Sequence, residues 1–438
     1  MDNDSSIFPG APSSGRATAG SIRPERLRSL DRWFGVPLCA LLTLTRALGR
    51  VFCRQSQGEP PVKRILFVKW VEQGATVLAY DAIRRAAELV GRDNVFFCVF
   101  EDNRGILDLL DVVPSENVLA IRTHSLRSVP VGAVRAIRKA RKLGIDCVVD
   151  MELFARGPAV FTYLTGARRR VGLHRFTSEG PYRGDLMTHR VQYNPYSHMA
   201  TTYRTLVEAL LADPRDIPLV KSVPVPVSDP PPRFLPSDEE PARVQGLLDE
   251  LAGREVRRPI VILNANTSDI IPLRKWPVER FIELGRLLLS HNPNLTLLLT
   301  GAPSEESAVT EVARRMETDR VINLAGKTTL RELVVLYTLC DVLVTNDSGP
   351  SHFASITDID IVTLFGPETP ALYGPLGRRS HVIWKGLACS PCVSALNHRL
   401  SPCRNNACMQ AITVEEVFSK VRELLDARAG GQVTVDDG

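Results

Sequence analysis

The sequence predicts an α/β protein built as two successive units, each a parallel sheet covered by helices on both faces. Three observations carry that expectation. Short apolar runs alternate with amphipathic stretches from about residue 64 onward, a proline-rich segment interrupts the alternation near the middle, and the alternation then resumes. A chain of 438 residues is comfortable for two domains. With 44% hydrophobic and 24% charged residues, each half has enough material for a core.

Residues 1–22, rich in Ser, Gly, Ala and Pro, read as a disordered tail. Residues 23–60 contain an apolar run from Trp33 to Thr45, flanked by Arg26, Arg28 and Arg32 before it and by Arg46 and Arg50 after it. The run falls short of the roughly 20 residues needed to span a bilayer. Apolar, aromatic and basic residues together suit an amphipathic helix lying in an anionic headgroup layer. An extra helix packed on the protein itself fits the same residues. The formal charge is +5, and eight Arg against Glu25 and Asp31 place +6 between Arg16 and Arg54. The body is therefore close to neutral, and nucleic acid is not an expected partner.

Ile65–Val68 reads as a buried parallel strand, followed by a turn at Gly74 and a helical stretch over 77–90. Further strands are expected at 95–99, 118–121 and 147–150, with a helix over 131–142. Together, residues 61–222 form the first unit. Seven prolines between Val223 and Pro241, three of them consecutive, mark 223–242 as a linker in which neither helix nor central strand persists. The second unit, 243–411, has expected strands at 259–263, 295–300, 342–345 and 361–365, and helices at 277–289, 305–316 and 329–339. A last amphipathic helix occupies 412–428.

The run Val342-Leu343-Val344-Thr345-Asn346-Asp347-Ser348-Gly349-Pro350-Ser351-His352 is an apolar strand ending in a polar, Gly-containing loop that opens a helix. In parallel sheets, ligands bind beyond the carboxyl ends of strands, and starting helices attract phosphate. Asp347 suits sugar or ribose hydroxyls; taken alone, the same run also describes a capped helix that binds nothing. It is not alone. Leu364-Phe365-Gly366-Pro367-Glu368-Thr369-Pro370 leaves the same sheet edge, Asn264-Ala265-Asn266-Thr267-Ser268 leaves another strand, and Arg274-Lys275-Trp276-Pro277 leads into a helix. Hydroxyls and two cations before a helix are what a diphosphate needs.

On Thr345 to Pro350 with His352, Leu364 to Pro367, and Lys275-Trp276-Pro277 with Glu279-Arg280-Phe281, the chain resembles glycosyltransferase family 9, the lipopolysaccharide heptosyltransferase family, over roughly 62–428. The resemblance implies a GT-B fold, two Rossmann-like domains facing a cleft, with the final helix often crossing back to the first. It implies metal-independent transfer with inversion at the anomeric carbon. Thr267, Ser268 and Lys275 are then expected to hold the donor diphosphate, Asp347 with the Gly349 backbone the donor sugar, with Ser348, Pro350 and His352 also on the donor side, and Glu305 (or Glu306) to approach the nucleoside. Lys69 and Gly74 match the family on the acceptor side. The family's usual catalytic Asp falls at Ala75, however, so Glu72 in the same loop becomes the expected base; a solvated loop Glu is the alternative. Asn264-Ala265-Asn266 stands where relatives more often show Pro-Gly-Ala, which leaves the donor open around ADP-heptose.

Cys389, Cys392, Cys403 and Cys408 share one loop and form a candidate structural zinc site, with redox pairing or plain thiols as competing readings. No cofactor is expected for catalysis. The other five cysteines are scattered in apolar runs as free thiols. His189 and His198 are structural or acceptor-side, and Arg168-Arg169-Arg170 is a solvated face or an anion patch. No secretory signal is visible after Met1-Asp2-Asn3-Asp4. The expected protein is a sugar transferase, peripheral on the cytoplasmic side of the inner membrane, acting on a lipid-linked glycan. A nucleotide-sugar epimerase of the same fold and, because of Ala75, a silent nucleotide-sugar binder are the alternatives.

Overall fold

The computed structural model describes residues 31–52, 60–177, 179–222, 231–267 and 271–432. The tail at 1–22, the start of the basic segment, Cys53, residues 223–230 of the central proline-rich segment and Ser268 lie outside the described residues.

Two six-stranded sheets organise the molecule, and every strand pairing in them is parallel. The first contains β1 (Ile65–Val68), β2 (Val95–Phe100), β3 (Val118–Ile121), β4 (Cys147–Asp150), β5 (Arg169–His174) and β6 (His189–Gln192), in the order β3-β2-β1-β4-β5-β6. The second contains β7 (Ile260–Asn264), β8 (Thr296–Leu299), β9 (Val321–Asn323), β10 (Val342–Asn346), β11 (Asp360–Phe365) and β12 (Ser380–Trp384), in the order β12-β11-β10-β7-β8-β9. Both orders are the same doubly wound pattern, with a switch point between β1 and β4 and another between β7 and β10. Such points open a crevice at the carboxyl edge. The inner strands β1, β2, β4, β7, β8, β10 and β11 are buried along their whole length, as sheets covered on both faces require.

The halves share apolar contacts. Val77, Ile106 and Leu110 of the first half join the core beneath Leu343 and Ile361, while Phe365, Leu372 and Tyr373 of the second join Phe154 and Tyr193 of the first. The carboxyl edges of the two sheets are thus held close.

The central segment is more ordered than its prolines suggest. Phe234 N–H donates to Ile356 O at 2.7 Å, and the Arg331 guanidinium lies over the Phe234 ring. A helix spans Glu239–Ala252, beginning inside the segment read as linker. Pro241 is tolerated because first-turn N–H groups have no partner within the helix. The last helix, Val414–Gln432, packs Val417, Val421 and Leu424 into the second core, where the resemblance implies a return to the first half. Arg428 fixes it by pairing with Asp360 at 2.6 Å.

The helix Gly35–Phe52 is docked on the first half by one face only. Cys39 is buried among Ala159, Leu186 and Met187. Asp185 N–H donates to Thr43 Oγ1 at 2.9 Å, and Arg46 pairs with Asp185 at 2.9 Å. Just before it, Asp31 accepts the N–H groups of Arg156 and Gly157 at 2.9 and 2.8 Å, capping the Arg156–Leu164 helix from outside. The opposite face exposes Trp33, Phe34, Leu38, Leu41, Leu44 and Leu48. One face of the segment is thus packed on the protein, and the other is apolar and exposed. No described helix is long and apolar enough to cross a membrane.

Candidate functional site at the facing sheet edges

Asn346, the last residue of β10, ties three loops together. Its Oδ1 accepts from Trp276 N–H at 3.0 Å, and its Nδ2 donates to Ala265 O at 3.0 Å. The cation-bearing segment 274–276 therefore meets the loop after β7 at the edge where Asp347 emerges. Asn406 holds the same segment from the other side by donating to Leu273 O and Lys275 O. Lys275 and Asp347 share one edge of the second sheet.

Beside them a cavity of about 380 Å³ is lined by Ala265, Asn266, Lys275, Thr300, Val309 and Val312, among others. One cation, one amide and an apolar wall suit a nucleoside carrying phosphate. Thr267, next in the loop after Asn266, is buried, and its Oγ1 has no hydrogen-bond partner among the described residues. Glu305 is committed locally: its Oε2 accepts Ala302 N–H at 2.7 Å, and a Cβ added at Gly301 would lie 3.2 Å from that oxygen. Glu306 is exposed. Ser348 caps the Gly349–Ala354 helix without a side-chain cap bond; its Oγ donates instead to Asn346 O at 3.1 Å. Pro350 sits in the first turn of that helix, where no N–H is missed.

Asp347 is 2% exposed and Glu368, from the loop after β11, is also 2% exposed. Arg274 stands between them, 3.5 Å from Asp347 and 3.6 Å from Glu368. Burial raises Asp347 above the usual carboxylate range, opposed by Arg274. Burial first, then the charge of Asp347, pushes Glu368 up to about 8. His352, buried in the helix that follows Asp347, is pushed down to about 3 by burial and then by the charges of His198 and Arg274, so it is a neutral imidazole.

From the first half, Lys69 is buried to 1% and its Nζ lies 3.1 Å from Glu152 and 3.2 Å from Glu72. Glu152 Oε1 also accepts the N–H groups of Trp70 and Val71, which sets the loop. Asp150 pairs with Arg183 and accepts Glu152 N–H, supporting the whole arrangement from below. Glu72 has a left-handed φ of 68° and reaches across the cleft to pair with Arg399 of the second half. It is not a solvated loop residue. Gly74 meets the donor side directly: an added Cβ would lie 2.7 Å from His352 Cδ2 and 3.4 Å from Gly349 Cα.

The structure thus brings Gly74 against Gly349 and His352 and Glu72, paired with Lys69, against Arg399, and sets Thr267 and Lys275 along the edge of the second sheet. Sequence reasoning read Arg274 only as a second cation for the diphosphate and gave no role to Glu368, Glu152 or Arg399. Arg274 and Glu368 lie within quoted motifs; the partnerships of Glu152 and Arg399 depend on folding alone. His198 bridges the halves through Nε2 to Gly374 O at 3.0 Å, whereas His189 is wholly buried in β6 beside Thr188. Arg169 and Arg170 donate to backbone carbonyls, including Leu210 O and Leu186 O, while Arg168 is exposed.

The zinc expectation is corrected. Among the described residues no group of three or more potential ligands is placed to hold a metal. Cys389 is exposed, Cys392 Sγ accepts from Ser401 Oγ, and Cys408 is buried, its thiol raised by burial. The loop is held by packing and local hydrogen bonds, among them Cys403 N–H to Ser401 Oγ and Asn397 Nδ2 to Cys392 O.

The model of glycosyltransferase family 9 (heptosyltransferase) matches residues 134–401, more than half of the chain. The chain belongs to glycosyltransferase family 9. Curated relatives include lipopolysaccharide heptosyltransferase 2 of Salmonella typhimurium, 33% identical over 115 residues, which are 26% of this chain and 32% of that protein. Lipooligosaccharide heptosyltransferase 2 of Campylobacter jejuni is 26% identical over 155 residues, 34% of this chain and 47% of that protein. The chain thus spans between a third and a half of the length of these relatives. Among solved structures, the Escherichia coli ADP-heptose heptosyltransferase II matches with a TM-score of 0.62 at 19% identity, over 84% of this chain and 99% of that one. A family 9 glycosyltransferase of Veillonella parvula matches with a TM-score of 0.62 at 18% identity, over 84% and 98%. At such identity the likeness concerns the fold, which is GT-B.

Proposed function

We propose that this family 9 glycosyltransferase moves a sugar from a nucleotide diphosphate donor to a lipid-linked glycan such as a lipopolysaccharide core precursor. ADP-heptose is the donor of first choice, in keeping with the relatives named for heptosyl transfer. Transfer proceeds with inversion and needs no metal, because Arg274 and Lys275 supply the positive charge that a departing diphosphate requires. The observation that carries this reading is the convergence of the 265–267, 274–276, 347–352 and 366–368 loops on one sheet edge, facing Lys69, Glu72 and Gly74.

In this reading Lys275 and Thr267 hold the diphosphate, the cavity beside them takes the nucleoside, and Asp347 takes donor hydroxyls with Gly349 and His352 nearby. Residues 61–222 bind the acceptor and 243–411 the donor. The exposed apolar face of the Gly35–Phe52 helix rests on the inner membrane, from the cytoplasmic side, and brings the cleft to its lipid-linked acceptor.

Calorimetry with ADP-, GDP- and UDP-sugars tests the donor assignment. One nucleotide class is expected to bind, and Lys275→Ala to weaken it about tenfold or more, the worth of a hydrogen bond to a charged group. Binding of none of them, or unchanged binding by Lys275→Ala, refutes it. Ala75 favours a second reading, a silent nucleotide-sugar binder. Tight nucleotide binding without turnover on any acceptor would select that reading.

A further inference from the structure

Any transfer of a sugar to a hydroxyl must dispose of the hydroxyl proton. The described carboxylates around the cleft differ sharply in how their oxygens are occupied. Glu72 has Lys69 on one oxygen and Arg399 on the other. Glu152 accepts two backbone N–H groups on Oε1 and Lys69 on Oε2. Asp150 is taken by Arg183 and Glu152 N–H. Glu368 differs from these. Its carboxyl shares a hydrogen bond with Asp347, and its Oε1 is buried with no hydrogen-bond partner among the described residues, Arg399 Nε being 3.8 Å away. Arg274, 3.6 Å from Glu368, has its Nε buried without a partner among the described residues, and so does the Nδ1 of His352, which feels the Arg274 charge. Buried polar atoms without partners are rare and call for a cause. A cluster of them at the mouth of a sugar-binding edge marks where a hydroxylated ligand completes the bonding.

We propose that Glu368 removes the proton from the acceptor hydroxyl during transfer, with Asp347 and Arg274 setting its basicity, and that the chain thereby does without a carboxylate at position 75. This rests on the transferase reading above. The acceptor O–H bond breaks as its oxygen bonds to the anomeric carbon. The proton goes to a Glu368 carboxylate oxygen, and the C–O bond to the diphosphate breaks with its electron pair leaving on the nucleotide. Glu368 then returns the proton to solvent. The groups facing Glu368 are Asp347, Arg274, Arg399, Tyr373 and Tyr193. The neighbouring Asp347 charge and the burial make Glu368 a stronger base than a solvated carboxylate, with its titration close to working pH, where a general base is most effective.

The test uses the full chain, ADP-heptose as donor and delipidated lipopolysaccharide core as acceptor, with ADP release as readout and ADP binding measured separately by calorimetry. For Glu368→Gln, kcat is expected to fall about 100-fold or more while the ADP Kd stays within about threefold. In wild type, kcat is expected to rise with pH to a plateau above about 8, and Glu368→Gln to lose that rise. Glu368→Asp, which keeps a carboxylate, is expected to recover part of the loss. A Glu368→Gln enzyme within threefold of wild-type kcat, or one that also loses ADP binding, overturns the proposal; the second result makes Glu368 part of the frame. A wild type that neither binds ADP nor releases it from the donor sinks the transferase reading itself, a different failure.

Discussion

Glu152 shows how much one side chain can organise. Its two oxygens hold Lys69 and the N–H groups of Trp70 and Val71, and Arg183 steadies it through a backbone bond to Glu152 O and an ion pair with Asp150. Both members of the Asp150–Arg183 pair are essentially fully buried. Removing one partner of such a pair leaves a buried charge without compensation, worth about 3–5 kcal/mol. Arg183→Met is therefore expected to lower the stability of the first half by that amount in urea unfolding. A loss under about 1 kcal/mol would mean water reaches Asp150.

Glu368 gives a second expectation at this scale, independent of turnover. It keeps its proton in the folded protein up to about 8, whereas its ordinary value is 4.5. Between those values the native state binds more protons than the unfolded chain, so stability falls as pH rises through the window. Gln at 368 has no proton to hold. The melting temperature of Glu368→Gln relative to wild type is thus expected to be higher at about pH 8 than at about pH 5, and an equal difference at both would show that burial does not burden the charged form. The pairing of Glu368 with Asp347 and Arg274 was hidden in the sequence because the three come from separate loops. Only the Gly366–Pro370 run hinted at a site, and nothing in it singles out the Glu.

At the scale of elements, the strands legible in the sequence are those carrying a run of three or more apolar residues or, in β11, apolar residues around a single Thr, and the edge strand β3 is among them. Those missed, β5, β6, β9 and β12, carry polar residues at one or both ends. β5 opens with Arg169 and Arg170, and β12 reads Ser380-His381-Val382-Ile383-Trp384. β6, β9 and β12 lie at sheet edges, where one side is free of pairing and an apolar run is not required. The N-terminal helix was legible in composition but not in orientation. Its periodicity becomes meaningful once Cys39 and Arg46 are seen to face the protein, which leaves Trp33 and Phe34 at 76% and 70% exposure. Burial of such side chains contributes on the order of 1 kcal/mol or more each. A variant with Trp33, Phe34, Leu41 and Leu44 all changed to Ser disturbs no buried contact. It is expected to lose co-sedimentation with phosphatidylglycerol-containing vesicles while keeping ADP binding. Unchanged sedimentation would assign the face to something other than a membrane.

For the whole molecule, two copies of one sheet topology face each other, and chemistry requires their edges to meet. The meeting point is narrow. Gly74 of the first half lies against His352 and Gly349 of the second, and a Cβ there would come within 2.7 Å of the imidazole. Real Cβ atoms do not approach that closely, and His352 is buried with little room to yield. Gly74→Val should therefore hold the halves apart by about the width of a methyl group, while the nucleoside cavity and Lys275 lie wholly in the second half. A misplacement of about 1 Å between reacting groups is enough to slow transfer about 100-fold. The expected result is an ADP Kd within about threefold of wild type alongside a transfer rate down about 100-fold, with a larger radius of gyration by small-angle scattering. If Gly74→Val transferred at the wild-type rate, the two edges would not need the contact seen here, and the cleft between them would be wider in the working enzyme than in this structure.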